Sequence, residues 1–95
     1  EQLQASAEQA AALLKAMSNP KRLLILCMLC GSPGTSAGDL ARATGLSPSA
    51  TSQHLAKMRE EGLIGSQRDA QRILYFIKNA AVNSLIATLK NVYCP

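Results

Sequence analysis

The chain has 95 residues, 47% of them hydrophobic, and this length predicts one domain, residues 1–95, with one modest core. Its net charge of +4 favours a polyanionic partner. Two tyrosines and one phenylalanine are too few for the aromatic platforms of single-strand and RNA binders, so duplex DNA is the expected partner. No apolar run is long enough to span a bilayer and no secretory leader is recognisable, so a cytoplasmic protein is expected.

The first third of the chain predicts two helices. Residues 2–17 form an Ala-rich amphipathic helix, one face of which carries Leu3, Ala7, Ala10, Leu14 and Met17. An Asn-Pro pair then caps a second helix that ends near Gly31. Lys21 and Arg22 lie in its first turn, where the helix dipole disfavours cations. A DNA phosphate or a salt bridge within the protein would offset this cost, and both interpretations stay open.

A short helix, a tight turn and a longer helix follow. Ser36 and Asp39 resemble a capping box at the start of the short helix, which runs to Thr44. Gly45 begins the turn, and Ser47–Glu61 is the second helix with its cap. Two helices joined by a short turn containing Gly are typical of the helix-turn-helix motif.

The two faces of the Ser47–Glu61 helix differ in chemistry. Its inward stripe consists of Thr51, Leu55, Met58 and Gly62. Its outward face carries Ser49, Ala50, Gln53, Ala56 and Lys57. Small polar side chains can donate to and accept from base edges in a major groove, so this face is a candidate DNA-reading surface. His54, at the edge of the inward stripe, is predicted to face DNA; a hydrogen bond to the adjacent helix is the alternative, and metal binding by a lone His is not expected.

The remaining residues predict a hairpin and a last helix. Residues 63–68 and 72–78 are the expected strands, and Arg68 and Arg72 flank the polar tip between them. A basic hairpin behind a helix-turn-helix indicates a wing. From Asn79, the last helix carries an apolar stripe of Val82, Leu85, Ile86, Leu89 and Tyr93.

The elements together predict a mainly α fold with a β-hairpin wing, in the order α-α-α-α-β-β-α. The first and last helices carry more apolar surface than so small a core can cover. A two-fold homodimer would cover the rest and would place two recognition helices about one DNA turn (~34 Å) apart.

Three cysteines, Cys27, Cys30 and Cys94, are an odd number in a chain expected to be cytoplasmic, which argues against a structural disulfide framework. Cys27 and Cys30 are one turn apart on an apolar stripe, where free Cys commonly packs as a small hydrophobe. Cys94 projects roughly 80–120° away from the stripe of the last helix, so packing does not explain it. A bridge from Cys27 to Cys94 requires their Cα atoms to lie within about 7 Å.

Two segments carry a resemblance that extends over nearly the whole chain. LLKAMSNPKRLLIL, residues 13–26, resembles the opening signature of the ArsR/SmtB family of bacterial repressors, and SATSQHLAKMREEGLI, residues 49–64, resembles its recognition helix. The resemblance implies a homodimer that binds operator DNA and releases it when an inducer is sensed. The DNA contacts that the resemblance implies are Ser49, Ser52, Gln53, His54, Arg68 and Arg72. Lys57, on the same helix as the first four, is added to this set.

The resemblance also bears on the inducer. The family's metal sites on the last helix use His and carboxylates, which residues 80–93 lack, and its sites near the recognition helix use paired Cys, which residues 39–45 lack. Cys27 in LLILCML and Cys94 in LKNVYC resemble the two thiols of the persulfide- and redox-sensing subgroup that includes BigR, SqrR and HlyU-type repressors. There, the resemblance implies, reactive sulfur species or an oxidant joins the two thiols through a disulfide or a short polysulfide chain. Cys30 lies outside this two-cysteine pattern, and it either competes for the bridge or is silent.

Other functions remain as alternatives. One is a thiolate-ligated metal sensor that uses all three cysteines for a soft ion, and another is a DNA-binding module with no inducer. An enzyme is not expected, because one His and no Gly-rich phosphate loop leave no catalytic constellation. No cofactor is expected either.

Overall fold

A computed structural model describes residues 2–94, so both ends of the expected 1–95 domain lie outside the described residues. Over this range the elements are α1 (Gln2–Met17), α2 (Pro20–Gly31), β1 (Thr35–Ser36), α3 (Ala37–Thr44), α4 (Pro48–Glu60), β2 (Ile64–Asp69), β3 (Arg72–Ile77) and α5 (Ala80–Tyr93). The predicted order of helices and hairpin is confirmed, and β1 is an addition to it. None of the helices within residues 2–94 has both the length and the apolar character needed to cross a membrane.

Local capping explains where four of the helices begin. At α3, Ser36 Oγ accepts a hydrogen bond from the Asp39 N–H at 3.3 Å, so Ser36 is the cap that the sequence predicts. Asn19 Oδ1 accepts hydrogen bonds from the first backbone N–H groups of α2. Ser47 Oγ accepts one from the N–H of Ala50 in α4, and Asn79 Oδ1 accepts them from the first N–H groups of α5. Each cap satisfies N–H groups that have no partner within the helix. Proline follows the cap in α2 and α4, at a position where no N–H is required. These helix starts follow from residues adjacent in sequence.

The turn between α3 and α4 depends on Gly45. Its backbone is left-handed, with φ 75°, and its N–H donates to Ala41 O at 3.0 Å. Glycine adopts this conformation without the steric cost that a Cβ would add. The turn packs α4 against α3, which confirms the predicted helix-turn-helix.

The three strands form an antiparallel sheet in the order β1-β3-β2. The β2–β3 hairpin pairs from Ile64 with Ile77 to Asp69 with Arg72, so both predicted wing strands are present. β1 pairs with the other side of β3. A strand of two residues is too short to show an alternating pattern in the sequence, which is why it was not predicted.

The core lies where α2, α3, α4 and α5 meet the base of the sheet. Its fully buried members are Ile25, Leu26, Leu29, Leu40, Leu55, Met58, Leu63, Ile64, Val82 and Ile86. Helix α1 adds only Ala16 and Met17, while Leu3 and Leu14 on its apolar face remain 75% and 53% exposed. A single subunit therefore leaves much of the apolar surface of α1 uncovered.

Candidate DNA interface and thiol site

The outer face of α4 is directed to solvent as the sequence predicts, except that Ala50 is half-buried. Thr51, Leu55 and Met58 are buried beneath the helix. The exposed residues on α4 include Ser49, Ser52, Gln53, Ala56 and Lys57. Helix α4 also contacts strand β2, so the recognition helix and the wing belong to one packed unit. The arrangement leaves the small polar side chains free to approach another surface.

His54 is half-buried against α2 rather than freely exposed on α4. Its Nδ1 accepts a hydrogen bond from Arg22 Nε at 3.3 Å, which is the alternative considered from the sequence. This bond leaves Nε2 as the ring nitrogen for any further partner. A contact between His54 and DNA stays a prediction.

The two cations at the start of α2 have partners within the protein. Arg22 Nη1 donates to Ala16 O at 2.9 Å and lies 3.3 Å from Glu61 Oε1. Lys21 Nζ donates to Thr44 O at 2.9 Å, at the C-terminal end of α3 where the helix dipole favours a cation. The cost at the N-terminus of α2 is therefore offset by protein contacts, so a DNA phosphate is not needed for it.

The two wing arginines differ in their surroundings. Arg68 is exposed, and its Nε donates to Ala70 O at 3.3 Å across the turn. Arg72 Nη2 lies 3.6 Å from Asp39 Oδ2 of α3, and Arg42 bonds the other oxygen of the same carboxylate. Hydrogen bonds from Arg42 and from Ser36 are the main reasons why the pKa of Asp39 is lowered. This carboxylate therefore stays charged at lower pH than an ordinary Asp does. Asp39 thereby connects the wing to α3.

The two cysteines that the resemblance singles out line the same cavity. Cys27 is half-buried on α2, and Cys94 is exposed directly after α5. The cavity has a volume of about 190 Å³, and its lining residues are Leu23, Cys27, Leu89, Lys90, Tyr93 and Cys94. All three cysteines are free; Cys27 and Cys30 both pack against the edge of the core, but Cys30 does not line this cavity. The two cysteines, one on α2 and one just after α5, thus border one small, largely apolar space.

The electrostatic surroundings of Cys27 are set by burial and by a lysine. Burial raises the pKa of Cys27, the Lys90 ammonium opposes that rise, and the neighbouring Cys94 and Cys30 thiols add to it. Lys90 Nζ lies 3.4 Å from Cys27 O. Sequence reasoning missed Lys90, although its position four residues before Cys94, one helical turn away, was a usable signal.

Within residues 2–94, no group of three or more His, Cys, Asp or Glu side chains could hold a metal ion. A solvent-exposed recognition helix, a helix-turn-helix and a basic hairpin in one chain define a winged helix-turn-helix regulator.

The chain belongs to the arsR family of bacterial regulatory proteins, whose sequence profile matches residues 19–66. It is 86% identical over 94 residues to the HTH-type transcriptional regulator YgaV of Escherichia coli strain K12, a match that covers 99% of this chain and 95% of YgaV. Relatives of this kind are transcriptional regulators, so the chain is a transcriptional regulator and not an enzyme.

Solved structures of relatives have the same fold. Reduced HlyU from Vibrio cholerae N16961 is 39% identical with a TM-score of 0.93, over 99% of this chain and 98% of that one. The transcriptional repressor BigR from Xylella fastidiosa is 30% identical with a TM-score of 0.87, over 98% and 91%. The homodimeric winged helix-turn-helix domain of Mb0332 from Mycobacterium bovis is 29% identical with a TM-score of 0.82, over 97% and 84%.

Proposed function

We propose that the chain is a single-domain, homodimeric repressor whose affinity for operator DNA is switched by chemistry at Cys27 and Cys94. The observation that carries this proposal is that two free thiols, on α2 and just after α5, line one cavity. Similarity to the transcriptional repressor BigR supports the repressor assignment. Similarity to HlyU, which is named a transcriptional activator and whose solved structure is of a reduced form, supports thiol chemistry. Reactive sulfur species or an oxidant is the proposed inducer.

Duplex DNA is bound by the exposed face of α4 and by the wing. The interface residues are Ser49, Ser52, Gln53, His54, Lys57, Arg68 and Arg72. The uncharged side chains near the start of α4 are suited to base edges, and the cations at its far end and on the wing to phosphates. Arg72 contacts Asp39 in the subunit without DNA. On binding, Arg72 either keeps this contact while it lies beside the groove or exchanges it for a phosphate.

The apolar faces of α1 and α5 supply the dimer interface. Between them lies an apolar groove of about 230 Å³, lined by Leu14, Met17, Ser18, Leu23, Leu85, Thr88 and Leu89. A second copy covers it by two-fold symmetry, because the same face is then buried on both subunits. The dimer presents two α4 helices to half-sites about one DNA turn (~34 Å) apart.

Each chemical step of the switch balances. The Cys27 thiolate attacks the outer sulfur of a hydropersulfide, the donor's sulfur–sulfur bond breaks, and the donor leaves as a thiolate. The Cys94 thiolate then attacks Cys27 Sγ and expels hydrosulfide, which leaves a disulfide. With a peroxide, attack of Cys27 on oxygen gives a sulfenic acid and releases hydroxide from hydrogen peroxide or alkoxide from an organic peroxide. The Cys94 thiol then displaces water. When both cysteines carry persulfides, attack of one terminal sulfur on the other Sγ expels hydrosulfide and leaves a trisulfide.

We expect the Cys27–Cys94 bridge to affect DNA binding through α2. It ties the end of α5, part of the dimer interface, to the middle of α2. At the other end of α2, Arg22 bonds His54 and lies beside Glu61, so α2 also holds the recognition helix. A coupling free energy of about 1–3 kcal/mol would reduce operator affinity roughly 5–150-fold.

Fluorescence anisotropy on a labelled duplex, selected from a random pool by the reduced protein, tests the proposal. We expect treatment with a sulfane-sulfur donor to weaken binding by about 5–150-fold. Cys27→Ser and Cys94→Ser should abolish this response, and Cys30→Ser serves as the matched control that keeps it. A Cys94→Ser variant that responds like the parent would overturn the proposed switch.

Intact-mass measurement of the same samples identifies the trigger chemistry. A loss of two hydrogens indicates a disulfide, and a gain of bridging sulfur indicates a polysulfide. A parallel sample with Zn(II) tests the metal-sensing alternative. Stoichiometric metal that is retained by the parent and lost in Cys94→Ser would support a metal sensor over the dithiol switch.

A further inference from the structure

Lys90 and Cys27 are the two residues shared by two adjoining cavities. The apolar cavity described above contains both of them together with Cys94. A second cavity, of about 320 Å³, is lined by Cys27, Met28, Gly31, Ser32 and Lys90 and is more polar. Cys27 therefore borders both cavities, whereas Cys94 borders only the apolar one.

Gly31 leaves space for the Lys90 ammonium group. A Cβ at Gly31 would lie 3.1 Å from Lys90 Nζ, closer than ordinary contact. Gly31 is the last residue of α2, and its backbone is not left-handed, so turn geometry does not explain the glycine. The space that its missing side chain leaves is occupied by the end of Lys90.

The ammonium group supplies a charge that α2 lacks. Helix α2 has no basic residue in its last turn, and the partial negative charge of a helix C-terminus disfavours both a thiolate and an approaching anion. Lys90, from α5, donates to Cys27 O at 3.4 Å and brings a positive charge to this end of α2. The other titratable groups that influence Cys27 are Cys94, just after α5, and Cys30, on its own helix.

We propose that Lys90 promotes attack by Cys27 on sulfur donors that carry anionic groups, because its ammonium group lies beside Cys27 at the polar cavity and steers such donors to that residue. The donor class is the hydropersulfides of carboxylate-bearing small thiols. This inference rests on the proposed dithiol function and adds to it the role of Lys90 and the charge of the donor.

Two physical effects of Lys90 act in the same direction. A cation near Cys27 favours its thiolate, which is the nucleophile, and so opposes the pKa rise that burial causes. The same charge raises the local concentration of anions at the cavity mouth, an effect that salt screens. Lys90 is therefore a positioning residue that acts through Cys27 and through the approach of the donor.

Alkylation kinetics separate these effects from a merely structural role. In a Cys30→Ser background, peptide mass mapping gives the rate at which Cys27 reacts with anionic iodoacetate and with neutral iodoacetamide. We expect Lys90→Gln to slow the iodoacetamide reaction roughly 3–10-fold at neutral pH, since loss of the cation raises the pKa of Cys27 and lowers its thiolate fraction. The ratio of the iodoacetate rate to the iodoacetamide rate should fall about 3–5-fold at low salt, from the lost charge alone.

Three further measurements complete the test. The pH profile of iodoacetamide labelling should shift to higher pH in Lys90→Gln, and Lys90→Arg should restore both the profile and the ratio. Lys15→Gln, an equal change in net charge on exposed α1, should leave them unchanged. An unchanged ratio in Lys90→Gln, an equal effect of Lys15→Gln, or failure of arginine to rescue would overturn the role of Lys90.

Alkylation requires neither DNA nor a second thiol. The dithiol switch can therefore fail in the anisotropy experiment while the Lys90 result holds. An intact switch with an unchanged rate ratio would overturn only the assignment made to Lys90.

Discussion

Arg22 connects three helices of the fold through one side chain. Its guanidinium donates to Ala16 O in α1 and to His54 of α4, and it pairs with Glu61 directly after α4. The side chain is only 18% exposed, so its hydrogen bonds are partly shielded from water. If Arg22 is removed, its acceptors lose their donor where water reaches them poorly. The loss of stability is therefore larger than for an arginine whose partners are solvated.

We predict that Arg22→Ala lowers the free energy of unfolding by about 1–2 kcal/mol, because the Ala16 carbonyl and His54 lose their donor. Urea denaturation followed by circular dichroism measures the change. Arg59→Ala is the matched control: Arg59 is exposed on α4, and its loss should change stability by less than about 0.5 kcal/mol. Equal effects of the two substitutions would contradict the central role of Arg22.

At the scale of elements, the two glycines of the helix-turn-helix have opposite roles. Gly45 has φ 75°, and a Cβ there would meet nothing within 4 Å, so only backbone strain opposes a larger residue. Gly38 lies inside α3, where a Cβ would make an ordinary contact 3.6 Å from Arg42 Nη1. The turn therefore requires its glycine, and the helix does not.

We predict that Gly45→Ala lowers the free energy of unfolding by about 1–2 kcal/mol, the cost of a left-handed residue with a Cβ. Gly38→Ala, the same chemical change in the same helix-turn-helix, should raise it by about 0.5–1 kcal/mol, because alanine is the better helix former. Urea midpoints of the two variants decide between these signs. Destabilisation of similar size at both positions would show that packing, not backbone conformation, dominates.

At the scale of the whole molecule, the apolar surface of α1 and α5 remains unexplained by one subunit. Leu14 is 53% exposed, and Leu85 and Leu89 are each 37% exposed along the same groove. Val92 and Tyr93 extend this exposed surface to the end of α5. Contiguous apolar surface of this kind marks an interaction site, and a second copy is the proposed partner.

We predict that Leu14→Glu converts the dimer to a monomer that keeps its fold, since a carboxylate would have to be buried in the interface. Size-exclusion chromatography with light scattering measures the mass, and circular dichroism the fold. Operator affinity should fall by at least about tenfold, because two half-sites are no longer bound together. Ile73→Glu, a similar change on the 48% exposed Ile73 of the wing, should leave the mass unchanged; a monomer from both, or from neither, contradicts the proposed interface.

Local signals in the sequence were sufficient for most of the elements. The caps at Asn19, Ser47 and Asn79 act on N–H groups two or three residues away, so the starts of these helices follow from residues close together in the sequence. The left-handed Gly45 likewise follows from residue type, because glycine alone lacks the steric cost. The two candidate thiols were selected from the sequence through a resemblance rather than through geometry, and their sensing role stays a prediction.

Contacts between distant parts of the chain were decided only by the tertiary structure. Lys90 reaches the carbonyl of a residue 63 positions earlier, and Arg22 meets His54 across 32 positions, so no local pattern contains either contact. The same holds for β1, whose two residues become a strand only because β3 supplies hydrogen-bonding partners. The sequence determined elements through interactions within a few residues, whereas the surroundings of Cys27 arise from the packing of α2 against α5, which depends on the whole core at once.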